Sequence, residues 1–313
     1  MTTDAMASPR PGKRAGALSR ILDGTIFPVL VVIIGIVAIW YVAAVGMNTA
    51  FQRTLDERAE ANPTTIEFIS STLNQERPVL PSPHQVAENL WDTVFNKKIT
   101  SKRSLVYHAG VTLAPTLLGF LMGTGLGILL ATVIVHVLSM EKSLMPWIIT
   151  SQTIPILAIA PMVILVLDAV GIRGLLPKAL ISMYLSFFPV TVGMVKGLRS
   201  PDKMHLDLLR TYNSSTWQTF WKLRWPSALP YLFTSMKVAI AISLIGAIVG
   251  ELPTGAVAGL GARLLSGSYY GQTVLIWSAL LMAAFCAAML VALVGVADKW
   301  VRRRMGEKAE VTS

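Results

Sequence analysis

The chain has 313 residues, 53% of them hydrophobic and only 14% charged, with a formal net charge of +10 and a mean hydropathy of +0.60. Soluble domains carry roughly a quarter charged residues, so this composition excludes a soluble protein; apolar runs long enough to cross a hydrocarbon core recur along the chain and predict an all-α integral membrane helical bundle. The positive charge sits beside the ends of those runs rather than on a basic face with interleaved aromatics, which argues against a nucleic-acid groove.

In chain order, a basic tail over residues 1–25 (Arg10, Lys13, Arg14, Arg20) precedes an apolar run at 26–47. That run is too long for the h-region of a signal peptide and reads as an uncleaved first transmembrane helix. A long mixed-charge segment follows over 48–104. Within it, PSPHQVAENLWDTVF spaces Val86, Leu90 and Val94 four apart beside Ala87, Trp91 and Phe95, predicting a short amphipathic helix from about Pro83. Five more spans are expected at 105–138, 147–167, 175–195, 233–249 and 274–297, with Pro155 and Pro161 kinking the third. Residues 299–313 form a second basic tail. Cys286, the one cysteine, excludes an intrachain disulfide.

Threading six transmembrane helices with both termini cytoplasmic puts sixteen Lys and Arg inside, and seven of the outer ones fall in the single long segment that counts least. The stretch between the fourth and fifth spans, residues 200–230, is then cytoplasmic. It is polar, basic and aromatic, and twice punctuated. Ser200 before Pro201 reads as an N-cap with Pro at the first helical position, and Asp202 suits the positive end of the dipole. Asn213, tolerant of the left-handed conformation, ends that helix. Ser215 with Gln218 three residues on is a capping box that opens the next. Trp217, Phe220, Trp221, Arg224 and Trp225 follow at helical spacing, Pro226 closes the helix, and Pro230 opens the next span. By composition alone an interfacial amphipathic hairpin accounts for this stretch as well.

The spacing resembles a family. Permease subunits of binding-protein-dependent ABC importers carry a loop reading E-A-A, three residues, Gly, nine residues, an aliphatic, one residue, Leu-Pro. Here stand Asp207-Leu208-Leu209, three residues including Thr211, Asn213, nine residues, Leu223, Arg224, and Trp225-Pro226. The spacing is kept throughout, with Asp for Glu, two leucines for alanines, Asn for Gly and Trp for Leu. PSPHQV, Thr112-Leu113, the Pro155/Pro161 pair and AGLGARLL extend the resemblance over about 80–304, most like the subgroup handling nitrate, sulfonates, taurine and pyrimidine- or riboflavin-like molecules.

The resemblance implies a core permease domain at 105–298 in the bacterial inner membrane and a second permease copy, the same or different. It also implies a cytoplasmic ABC ATPase dimer carrying ATP and Mg, and a periplasmic or lipid-tethered substrate-binding protein. The loop would hold a coupling helix on the ATPase, with Asn213 setting the turn, Ser214 and Ser215 starting the helix, and Trp217, Gln218 and Trp221 as contacts. The solute would be a small polar organic molecule or anion, sulfonate/nitrate-like or pyrimidine/riboflavin-like.

No G-x-x-x-x-G-K-[ST] phosphate loop occurs in the sequence, so this chain is not the motor. His84, His108, His136 and His205 lack zinc spacing, no catalytic motif stands out, and a non-enzymatic subunit with no metal of its own is expected. For the translocation path the candidates are Gln152, Pro155, Pro161, Ser243, Gly246 and Glu251; placement at the membrane interface explains Glu251 more cheaply. GELPTGAVAGLGARLLSGSYYGQT, between the last two spans, reads either as a surface turn or, by the resemblance, as an outer gate. The alternative function is an ion-gradient-driven secondary transporter or channel, which should show intramembrane carboxylates or broken helices in symmetric halves.

Overall fold

The computed structural model describes residues 26–60, 62–253 and 257–306. The N-terminal tail and Lys308 lie outside them, as does Gly255 of the glycine-rich segment. Among the described residues the regular structure is entirely helical, and the chain divides into two compact units at residues 85 and 86.

The first unit holds α1 (Ile26–Arg58) and α2 (Thr65–Leu73). The expected first span ends at 47, but the helix runs three turns further. Asn48, Gln52 and Asp56, four apart, place a polar ladder on one face of that extension. Gln52 Nε2 donates to Asp56 Oδ1 at 2.9 Å, and Gln75 Nε2 donates to Gln52 Oε1 at 2.9 Å. Asn48, fully buried, accepts from the Val79 and Leu80 amides at 2.8 and 3.1 Å and donates to the Leu80 carbonyl at 2.8 Å. A residue-74-to-82 loop is thereby stitched to the helix by side chains where no ladder exists to satisfy its backbone. α2 opens with a Thr64–Glu67 capping box.

The amphipathic helix starts where the sequence placed it, as α3 (Pro83–Trp91), and ends in a π-helical turn over Asp92–Asn96. Val86 is buried, Leu90 and Val94 pack on an apolar cluster, and Trp91 and Phe95 stay exposed.

The second unit continues with α4 (Leu105–His136), α5 (Leu138–Ser151), α6 (Ile156–Ala169), α7 (Leu175–Leu198), α8 (Lys203–Thr211) and α9 (Thr216–Thr219). It ends with α10 (Trp225–Glu251), α11 (Leu260–Tyr269) and α12 (Thr273–Arg304). Two expectations are corrected. The third span is not one kinked helix over 147–167 but the pair α5 and α6, bent by 99° across the break at residues 152–155. Pro155 is the N-cap of α6, where its missing N–H is harmless, and Pro161 lies inside α6. The helix that carries the fifth span does not begin at 233: α9 runs through a π-helical turn at Phe220–Arg224 straight into α10, one 36-residue segment from Thr216 to Glu251. Pro226 therefore does not close a helix. It follows the widened turn, which gives its ring room against the preceding carbonyls and absorbs its absent donor.

α5 begins beside the last turn of α7, where Arg199 makes a bidentate pair with Glu141 at 2.7 Å. α6 ends beside the first turn of α7, around a cavity lined by Asp168, Arg173 and Lys178. Among the described residues five single helices, α1 included, are long and apolar enough to span, and the α5–α6 pair, counted as one broken crossing, makes six.

α7 is central, packed between α4 and α10. Gly119, Gly123 and Gly127, four apart on α4, face Ser182, Ser186 and Val190 of α7. Without lipid-exclusion energy between helices, such small-residue seams supply close van der Waals packing. A Cβ on Gly119 would lie 2.3 Å from Ser182 Cβ and 2.5 Å from the Ala179 carbonyl. Gly119→Ala is therefore expected to force the helices apart at a cost of about 1–3 kcal/mol, lowering the thermal midpoint of the purified protein. Gly125→Ala, which meets nothing within 4 Å, should leave it unchanged.

Candidate functional site

The residues between α7 and α10 build a compact exposed element. α8 is capped by Asp202, whose Oδ1 accepts from the Met204 amide at 3.1 Å. Ser200 is not the cap: its hydroxyl donates to the Gly197 carbonyl at 2.7 Å and finishes α7 instead. The cap moves two residues on because Pro201 resists the helical conformation at its predecessor and separates the two helices.

α8 ends at a left-handed Asn213, φ +52°. The Asn213 amide donates to the Arg210 carbonyl at 2.9 Å and the Ser214 amide to Leu209 at 3.0 Å, the two bonds of a Schellman motif. α9 opens with a reciprocal capping box. The Gln218 amide donates to Ser215 Oγ at 3.2 Å, and the Ser215 amide donates to Gln218 Oε1 at 3.0 Å.

Of the twelve loop residues singled out from the sequence, Asp207, Leu208, Thr211, Asn213, Ser215, Trp217, Gln218 and Trp221 are exposed. Leu209, Ser214, Leu223 and Pro226 are half-buried. Met204, Leu208 and Tyr212, four apart on α8, add an exposed apolar stripe. The Arg210–Asp207 pair at 3.1 Å is fully solvated on both sides and contributes little.

Two anchors carried no role in the sequence reading. Phe220 is buried, its ring 5.5 Å from that of His136 on α4 and 5.2 and 6.0 Å from Trp221 and Trp225. Arg224 Nη1 donates to the Leu198 carbonyl at 3.1 Å, tying the π-helical turn to the end of α7. The aromatic run was visible; which ring turns inward depends on the register shift of the π-helical turn, which spacing counted at 3.6 residues per turn misses.

The six path candidates do not come together. Pro161 lines a cavity of about 630 Å³ with Ile164, Asp168, Arg173, Lys178 and Pro253. Gln152 and Pro155 sit at the α5–α6 break. Ser243 is buried and donates to the Thr116 carbonyl at 2.8 Å, and a Cβ on Gly246 would lie 2.8 Å from Ser182 Cα. Both belong to closed helix seams. Glu251 is fully buried, accepting from Thr112 Oγ1 at 2.9 Å and the Gly261 amide at 2.7 Å.

A bundle of apolar helices with one rigid, doubly capped polar element between two of them sets the terms for comparison with other proteins. Residues 123–307 match the family of binding-protein-dependent transport system inner membrane components. A probable ABC transporter permease protein of Haemophilus influenzae is 32% identical over 204 residues, 65% of this chain and 78% of that one. The formylaminopyrimidine transport permease protein ThiX of Halalkalibacterium halodurans is 32% identical over 62% of this chain and 72% of its own. The riboflavin transport system permease protein RibX of Chloroflexus aurantiacus is 31% identical over 72% and 80%. The chain belongs to the binding-protein-dependent inner-membrane component family and is a multi-pass inner-membrane permease of an ABC importer.

Proposed function

We propose that this permease carries a small, polar, nitrogen-rich organic molecule of the pyrimidine or flavin kind into the cell, the solute being handed over by an outer binding protein. The support is the similarity to permeases named for formylaminopyrimidine and riboflavin transport. Residues 105–298 form the permease core, and two copies enclose the path. Both termini and the α8–α9 element face the cytoplasm, as the distribution of Lys and Arg favours.

ATP and Mg are held by a pair of partner ATPases, on which α9 docks through Trp217, Gln218 and Trp221. The observation that carries this is the exposed aromatic helix clamped by a Schellman turn on one side and by Phe220 and Arg224 on the other. Such an element transmits displacement, because each end is fixed to a different part of the chain.

The test is affinity purification of the tagged chain in mild detergent from its native membrane, beside a Trp217→Ala, Gln218→Ala double variant. Stoichiometric recovery of a phosphate-loop ATPase with the native chain, and its depletion from the variant, is expected. Recovery of none with either would leave the element as an interfacial hairpin.

A further inference from the structure

The amino end of α11 is capped almost wholly by side chains from other helices. The first amides of any helix lack internal partners. Here the Gly259 amide donates to His108 Nδ1 at 2.9 Å, Leu260 to Thr112 Oγ1 at 2.8 Å, and Gly261 to Glu251 Oε2 at 2.7 Å. Thr112 donates to the other carboxyl oxygen of Glu251 at 2.9 Å, closing the cluster. His108, Thr112, Glu251 and Leu260 are each almost wholly buried.

His108 Nε2 lies 2.9 Å from both the Lys102 carbonyl and the donor Arg263 Nε, and that carbonyl also takes Arg263 Nη2 at 2.7 Å. The fit leaves no slack. A Cβ on Gly259 would lie 2.3 Å from the Glu251 carboxyl, and one on Gly261 would lie 2.4 Å from the Ile248 carbonyl.

Glu251 is also the last residue of the helical segment that begins at Thr216 with the exposed loop helix. Thirty-six residues make a rod about 54 Å long at 1.5 Å per residue. One end carries Trp217, and the other ends in the carboxyl that caps α11.

We infer that Glu251 is a positioning residue for transport: it fastens α11 to the far end of the α9–α10 rod, so that displacement of α9 reaches α11 and its exposed Tyr269 and Tyr270 as a rigid-body movement. This deepens the importer reading and rests on it. A buried polar cluster with its donors matched is stiff, because each lost bond leaves an unsatisfied group in a low dielectric. Glu251 works through α11 and touches no solute.

The test uses the permease purified with its ATPase and reconstituted in nanodiscs. Cys286 is replaced by alanine, and spin labels are placed at the exposed Tyr270→Cys and Arg103→Cys, at α11's end and just before α4. Distance distributions and ATP hydrolysis are read with and without ATP–vanadate, in the Glu251 background and in Glu251→Ala. In the native background narrow distance peaks are expected in each state. In Glu251→Ala the distribution should broaden at least twofold in both states while ATP hydrolysis stays within twofold. Thr112→Val, close in shape and lacking only the hydroxyl, should broaden it in the same direction if Glu251→Ala yields no folded protein. Equally narrow distributions in the folded variants would overturn the inference. A native preparation that carries no ATPase would instead remove the importer reading, and the inference with it.

Discussion

Asn213→Gly is expected to keep the full affinity of the permease for its ATPase, whereas Asn213→Val is expected to lose about tenfold or more. The residue stands at φ +52°, a region open to glycine, tolerable for asparagine and strained for a β-branched side chain. Holding valine there costs on the order of 1–3 kcal/mol, and relaxing it breaks the two amide bonds to Arg210 and Leu209 that close α8. The turn would then reorient α9 against α8, although neither helix loses a contact residue. Titrating the ATPase onto nanodisc-held permease measures this directly. Equal affinities for both variants would mean the turn geometry has no part in docking, and the Asn-for-Gly exchange in the loop would be incidental.

The punctuation of this loop was legible because it is local chemistry. Asn213 and the Ser215–Gln218 pair announce their conformations through their own side chains, and the structure has both. The six apolar runs were legible for a similar reason: crossing a bilayer needs length and hydropathy, both additive along the sequence. What failed were features set by partners distant in sequence. The α5–α6 bend leaves hydropathy unchanged on either side, so the run reads as one span with kinks. Pro226 reads as a stop because spacing cannot show the π-helical turn that accommodates it. The three-turn extension of α1 hides in a polar segment whose ladder becomes visible only when Gln75 and the Val79–Leu80 amides arrive from the loop. For Glu251 a signal did exist. His108, Thr112 and Thr116 recur every fourth residue in the first turns of a largely apolar helix, a polar stripe that demands a buried polar partner, and the carboxyl eight residues before a G-L-G sequence was available to supply it.

Phe220→Ala and Trp217→Ala should separate anchoring from docking. The two rings, one on α9 and one opening the π-helical turn after it, stack at 6.3 Å, yet Phe220 is 6% exposed and Trp217 69%. Truncating a buried Phe removes transfer energy and leaves a cavity, together about 3–5 kcal/mol. Phe220→Ala is therefore expected to lower the thermal midpoint of the permease itself, with the ATPase absent. It should also weaken ATPase binding, because the loop loses its seat against His136 of α4. Trp217→Ala removes an exposed ring and should leave permease stability within about 0.5 kcal/mol. If the ring is an anchor in the partner's groove, its loss should cost binding about 2 kcal/mol or more, some thirtyfold in Kd. The decisive pattern is the crossed one: stability and binding fall together for Phe220→Ala, and binding alone falls for Trp217→Ala. If Trp217→Ala bound the ATPase as tightly as the native chain, the aromatic face would belong to the membrane surface, and docking would have to fall to the Met204–Leu208–Tyr212 stripe of α8. Leu208→Ser, which leaves the caps of both helices intact, would then become the variant that loses the partner.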